Sequence, residues 1–176
     1  MLRASLLCGC LLLAACAGQA PREPASAALE LRLSPASLGH DLALQQQLSF
    51  RYGQEQRTFD ALLEADAHEV KLEIQAMGQS AMRLQWNGQK LDQQRAPWLP
   101  KAVRGEEILS DLQLANWPIF AIRAALPIGW SLVEDGSTRQ LRKDDATVVT
   151  VRYPAPDRIE IEHPNFRLSI VSAPVQ

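Results

Sequence analysis

After Cys16 the chain contains no cysteine. No disulfide can form within that part of the protein, so its fold rests on burial and hydrogen bonding. Aromatic residues make up only 6% of the 176 residues, so an apolar interior must be mostly aliphatic. Neither sign of charge dominates, with 18 Lys and Arg against 20 Asp and Glu. That balance leaves no basic face for neutralising phosphates, and no nucleic-acid partner is expected. No apolar run reaches the roughly 18 residues of a membrane-spanning helix. Histidine is scarce as well. His40, His68 and His163 have no His or Cys at metal-ligand spacing, so neither a metal nor a cofactor is expected.

Catalytic patterns are equally sparse. Gly78-Gln79-Ser80-Ala81-Met82 lacks the second glycine of a nucleophile elbow. Asp144-Asp145 reads as a solvated hairpin turn, and Glu106-Glu107 as the acidic start of a helix. No glycine-rich phosphate loop is present. Nothing in the sequence supports an enzyme. What is there is a globular composition, 47% hydrophobic and 22% charged, at a length that fits one domain.

The N-terminus has the parts of an export signal: Arg3, an apolar stretch from Leu6 to Leu13, then small residues. Leu13-Ala14-Ala15-Cys16 matches the bacterial lipoprotein signal in full. Small residues let a peptidase hold an extended backbone, and the Cys16 thiolate can take a diacylglycerol by thioether formation. Cys8 and Cys10 would leave with the signal. The expected plan is a signal peptide over 1–15, a lipidated Cys16 and flexible tether over 16–28, and one β-rich domain over 29–176. More than one acyl chain on Cys16 gives a stable membrane anchor. Ala17, where an Asp would favour the inner membrane, points to the outer membrane with the domain facing the periplasm.

From Leu29 to Leu33 apolar and charged residues alternate, and Pro35 ends the run. Leu42, Leu44, Leu48, Phe50 and Tyr52 then occupy even positions, a period of two that predicts a strand with one apolar face. Similar runs follow at Phe59–Ala65, Val70–Ala76 and Met82–Trp86. Asn87-Gly88 predicts a two-residue hairpin turn, with both residues at positive φ, into a polar return strand over Lys90–Arg95. The period changes at Arg104–Ala115, where Ile108, Leu109, Leu112 and Ala115 recur at helical spacing. Asn116-Trp117-Pro118 interrupts it, and Ile119–Leu126 predicts a second short helix. Strands resume with Trp130 and Leu132, Asp135-Gly136 as a hairpin signal, Val149–Tyr153, Ile159–His163 and Phe166–Ile170. The expected fold is mainly β: a strongly curved antiparallel sheet, a half-barrel, with two short helices covering its concave face.

This order, after a lipobox cysteine, resembles the lipoprotein-carrier fold, the half-barrel of the periplasmic lipoprotein chaperone LolA and its outer-membrane receptor LolB. Asp111-Leu112-Gln113-Leu114-Ala115-Asn116-Trp117-Pro118, Val151-Arg152-Tyr153 and Phe166-Arg167-Leu168-Ser169-Ile170 resemble a family of functionally unassigned bacterial outer-membrane lipoproteins. Members often accompany aryl-polyene or fatty-acid-like biosynthetic genes. The resemblance implies a concave apolar pocket for an acyl-chain or polyene lipid. Its lining would be Leu44, Leu48, Phe50, Leu63, Leu72, Ile74, Leu84 and Trp86 from the sheet, with Leu112, Trp117, Phe120 and Ile122 from the helices. Trp98 and Leu99, between Pro97 and Pro100, would form a membrane-contact loop. The alternative is a structural or assembly lipoprotein that docks on another envelope protein without a ligand. The ligand-free core would then be filled by its own side chains.

Overall fold

The computed structural model describes residues 29–175. The expected signal peptide, Cys16 and the expected tether lie outside the described residues. Ten strands form one antiparallel sheet: β1 (Leu42–Tyr52), β2 (Glu55–Ala65), β3 (Val70–Ala76), β4 (Gln79–Trp86), β5 (Leu91–Arg95), β6 (Trp130–Asp135), β7 (Thr138–Lys143), β8 (Ala146–Ala155), β9 (Arg158–Glu162) and β10 (Phe166–Pro174). Two helices, α1 (Gly105–Asn116) and α2 (Ile119–Ala125), separate β5 from β6. The spatial order is β5-β4-β3-β2-β1-β10-β9-β8-β7-β6, and the ends do not meet. The molecule is thus two five-stranded meanders joined by the β1–β10 pair.

The sheet is strongly curved, and helix geometry demands it. Gly105 opens α1 so close to β4 and β5 that an added Cβ would lie 2.8 Å from Leu84 and 2.4 Å from Gln93. Near its other end, the Leu114 carbonyl accepts a hydrogen bond from Arg139 of β7. β4 and β7 are seven strand spacings apart, about 33 Å along the sheet. From Gly105 to Leu114 the helix rises only about 14 Å. Even with the length of the Arg139 side chain, a flat sheet could not be touched at both places. Register shifts at Ile74/Gln75, Leu141/Arg142 and Arg152/Ala155 supply local bends.

The inward faces follow the period of two. Leu48, Leu63, Leu72, Leu84 and Trp86 join Val151, Ile161 and Ile170 in one buried cluster with Leu109, Leu114 and Trp117 of the helical segment. Gln46 breaks the apolar row of β1. It is buried and donates to Ser172 Oγ of β10 at 3.0 Å, so the seam between the meanders carries a satisfied polar pair.

Strand direction sorts the connections into two ends. One end, here the rim, carries the β1–β2, β3–β4, β7–β8 and β9–β10 turns, the loop after β5 and the turn before β6. The opposite end is the base. Pro35–Leu38, a short 3-10 turn, lies there, with Pro35 against the Gly88 turn and Leu38 buried. Asp144 (φ 47°) and Asp145 (φ 66°) form the turn expected of them. At Asn87-Gly88 only the glycine takes positive φ. Asn87 acts instead through its side chain, whose Oδ1 accepts the backbone N–H of Gln89 and Lys90.

Candidate functional site

The concave face under α1 is where the expected lining residues fall, and its depth divides them. Leu48, Leu63, Leu72, Leu84, Trp86, Trp117 and Ile122 are buried. They fill the middle and base of the half-barrel as packed core. Phe50, Ile74 and Leu112 are half-buried, as is Leu44 nearer the base. Phe120 stands apart from the set, 72% exposed on α2. Seven-residue α2 is apolar at each of its first four positions, so its sequence does not say which side faces inward.

The half-buried members gather toward the rim. Phe50 pairs with Leu168 across the seam, and its ring lies 5.2 Å from that of Phe166. Phe59 of β2 points inward beside Leu48 and is half-buried too. His163 stacks on Phe166 at 4.2 Å, and its Nε2 lies 3.0 Å from both carboxylate oxygens of Asp111 on α1. Ile108 and Leu112 flank Asp111 on that helix and are half-buried. Phe50, Phe59, Phe166, Leu168, Ile108 and Leu112 thus form a half-buried apolar patch toward the rim, here the mouth, with one ionisable pair at its edge.

Around this mouth the loop tips expose apolar side chains. Met77 is 98% exposed and Trp98 49%, and Tyr52 and Ile128 are exposed as well. All four sit at the rim, Tyr52 as the last residue of β1 and the others on connections. Leu99 is half-buried beneath Trp98. Arg95 holds their loop by donating to the carbonyls of Leu99 (3.0 Å) and Pro100 (2.7 Å).

Polar side chains fix α1 over the sheet. Arg139 donates to the carbonyls of Leu114 (3.0 Å) and Trp117 (2.8 Å), which the end of the helix leaves open. Its Nε pairs with Glu134 at 2.6 Å. Tyr153 Oη donates to the Ala115 carbonyl at 2.7 Å, and burial pushes its phenol above the usual range. Ser110 and Gln113 are buried on the opposite flank of α1, where they bind residues 29–34. The sequence hid these groups because a polar residue on an inward face leaves no mark on the apolar period.

The outer face of β2–β5 carries a groove of about 540 Å³ bordered by Leu62, Glu64, Glu73, Arg83, Asp92 and Gln94. Its border is mixed in charge, with Arg83 paired to Glu73 and Lys90 to Asp92. Arg83, then Gln75, hold the Glu73 carboxyl below the usual range. Lys71, then Gln85, do so for neighbouring Glu69. Among the described residues no group of three or more His, Cys, Asp and Glu converges as a metal site would.

A family described as "Protein of unknown function (DUF3261)" matches residues 43–174. No curated protein matches the chain.

Proposed function

Because the chain belongs to this DUF3261 family, whose members carry no assigned activity, we propose that it is a lipid-binding outer-membrane lipoprotein of the LolA and LolB type. In this reading Cys16 is lipidated, and the half-barrel holds or transfers an acyl or polyene-type lipid without catalysing a reaction. The observation that carries the reading is the half-buried apolar mouth of Phe50, Phe59, Phe166, Leu168, Ile108 and Leu112 on the concave face. Each methylene removed from water there contributes about 0.8 kcal/mol, so binding selects for chain length with little demand for polar contacts.

The rim supports the same reading. Met77 holds φ 51°, a conformation that suits glycine or asparagine and costs a methionine energy. Its side chain makes no compensating burial in the protein, whereas contact with a bilayer would supply it. Residues 16–28 could extend up to about 44 Å. Strand β1, at 11 residues, is about 37 Å long, so a domain anchored at Cys16 can turn its rim to the membrane.

A docking role without ligand draws on a different observation, the filled base and middle of the half-barrel. The two readings part on one experiment. The protein is purified from cells that make it natively, extracted with organic solvent, and both extract and intact protein are weighed by mass spectrometry. A stoichiometric acyl or polyene species is expected. A clean apo mass, with no uptake of added fatty acids or lipopeptides, would overturn lipid binding in favour of docking.

A further inference from the structure

Residues 29–34 lie along α1 in a segment that no strand pairs. Apart from the Ser34 carbonyl, which also accepts the Ser37 N–H, their hydrogen bonds go to side chains. Leu31 N–H donates to Ser110 Oγ at 2.8 Å. Leu33 N–H donates to Gln113 Oε1, and Gln113 Nε2 donates back to the Leu33 carbonyl, each at 3.0 Å. Trp86 Nε1 donates to that same carbonyl at 2.7 Å, and Trp117 Nε1 reaches the Ser34 carbonyl at 3.2 Å. At the surface Arg104 pairs with Glu30 at 2.7 Å. Leu31, Leu33 and Leu38 are buried among the core residues of α1 and β4.

This is how a protein holds a ligand. Apolar groups point into the interior, a few side chains read the polar backbone, and no sheet ladder is involved. Residues 29–38 thus form a strap; freeing it breaks side-chain bonds, among them Trp117 Nε1 to Ser37 Oγ at 3.1 Å, and one surface ion pair, but unpairs none of the ten strands, so it can open locally. The three leucines occupy a volume on the order of 300 Å³, the lower end of the range of ligand sites.

We infer that the volume filled by Leu31, Leu33 and Leu38 is the deep part of the acyl-chain site, and that the strap is its resting occupant, displaced when a chain enters from the mouth. This rests on the lipid-binding reading and locates its site. The polar atoms left behind specify the ligand further. With the strap gone, the Gln113 amide and the Trp86 and Trp117 indole N–H groups face the vacated space. Leaving them unpaired is costly, so the ligand must bring a carbonyl or amide to them. The fitting class is an acyl amide or ester rather than a bare hydrocarbon.

The test uses the full chain and a photoreactive palmitoyl amide. Crosslinked residues are mapped, and amide hydrogen exchange is followed with and without the probe. The expected result is crosslinking to Trp86 and to α1 between Leu109 and Trp117. Protection at Leu31 and Leu33 should fall at least tenfold, with the strands unchanged. Crosslinks elsewhere, or crosslinks there with the strap still protected, overturn the inference while leaving lipid binding intact. Exchange of Leu31 and Leu33 only through global unfolding overturns it independently of any lipid. If the parent protein takes up no probe, Arg104→Ala cuts only the surface tie to Glu30, and Ser110→Ala cuts one bond further in, each checked for an unchanged strand signal by circular dichroism. Uptake by these variants supports the strap as occupant. No uptake by any of the three proteins overturns both the inference and the lipid reading.

Discussion

Gln113 is fully enclosed on α1 and uses both ends of its amide on the backbone of a single residue, the N–H and the carbonyl of Leu33. Replacing it with alanine removes two hydrogen bonds, each worth about 1 kcal/mol, and leaves the buried Leu33 N–H without an acceptor. Gln113→Ala is therefore expected to lower stability by about 3 kcal/mol in a denaturant melt. Gln113→Glu should do no better, because a carboxylate cannot donate to the Leu33 carbonyl. Tyr153 gives a pH effect of known sign. Burial raises its phenol pKa above the usual tyrosine value of 10.0. The unfolded chain then releases the proton first as pH rises. The contribution is fully present below pH 10.0 and is lost as pH climbs through the folded-state value. Alkaline stability curves of the parent protein should fall more steeply than those of Tyr153→Phe. Glu162 acts at the acid end. Its bonds to Arg152, then Arg167, hold its pKa below 4.5, so its contribution is lost as pH falls below that value.

At the scale of elements, the C-terminus of α1 depends on β7. Arg139→Met keeps the apolar stem but strips the donor from the carbonyls of Leu114 and Trp117, and it strands Glu134. A loss of about 2–4 kcal/mol is expected by thermal melting, with amide exchange fastest at α1 and α2. How much of this architecture was legible depended on which groups leave a period. Leu48, Leu63, Leu72, Leu84 and Trp86 mark strands because they alternate with polar neighbours, and Ile108, Leu109 and Leu112 mark a helix by their spacing. Gln46 sits in the same inward row and was passed over because it is polar. Leu29–Leu33 alternates as a strand does, and Leu31 and Leu33 are indeed buried, with Leu29 half-buried. Its partner is a helix, however, and nothing in an alternation names the partner. The mouth was half legible. Phe50 and Leu112 follow from face assignment, whereas Phe166 and His163 meet Phe50 and Asp111 only through the β1–β10 seam. Met77 leaves no mark in the sequence, because a turn tip constrains the backbone and not the side chain, and its exposure becomes informative only beside the other rim loops.

At the scale of the molecule, the rim makes a prediction that the fold does not share. Met77 and Trp98 touch solvent on loop tips, so Met77→Glu with Trp98→Glu should leave the melting temperature within about 1–2 °C of the parent. In a form carrying Cys16→Ala, the two substitutions should cut sedimentation with phospholipid vesicles at least severalfold. Unchanged vesicle binding would remove the rim as a membrane surface.

The central β1–β10 pairing also sets an order of events during biogenesis. β1 is made first among the strands and β10 last, yet they lie side by side at the middle of the sheet. A chain emerging from a ribosome or a translocation channel N-terminus first can complete its first meander early, but one side of β1 stays open until the final strand arrives. Contacts so distant along the chain make for slow folding, and an open strand is a template for a neighbouring chain. The interval between the two strands is thus the period in which this protein most needs protection by a holding chaperone. A stop codon anywhere before Phe166 would extend that period indefinitely, and such truncations should be recovered as aggregates or degradation products rather than as a smaller folded domain.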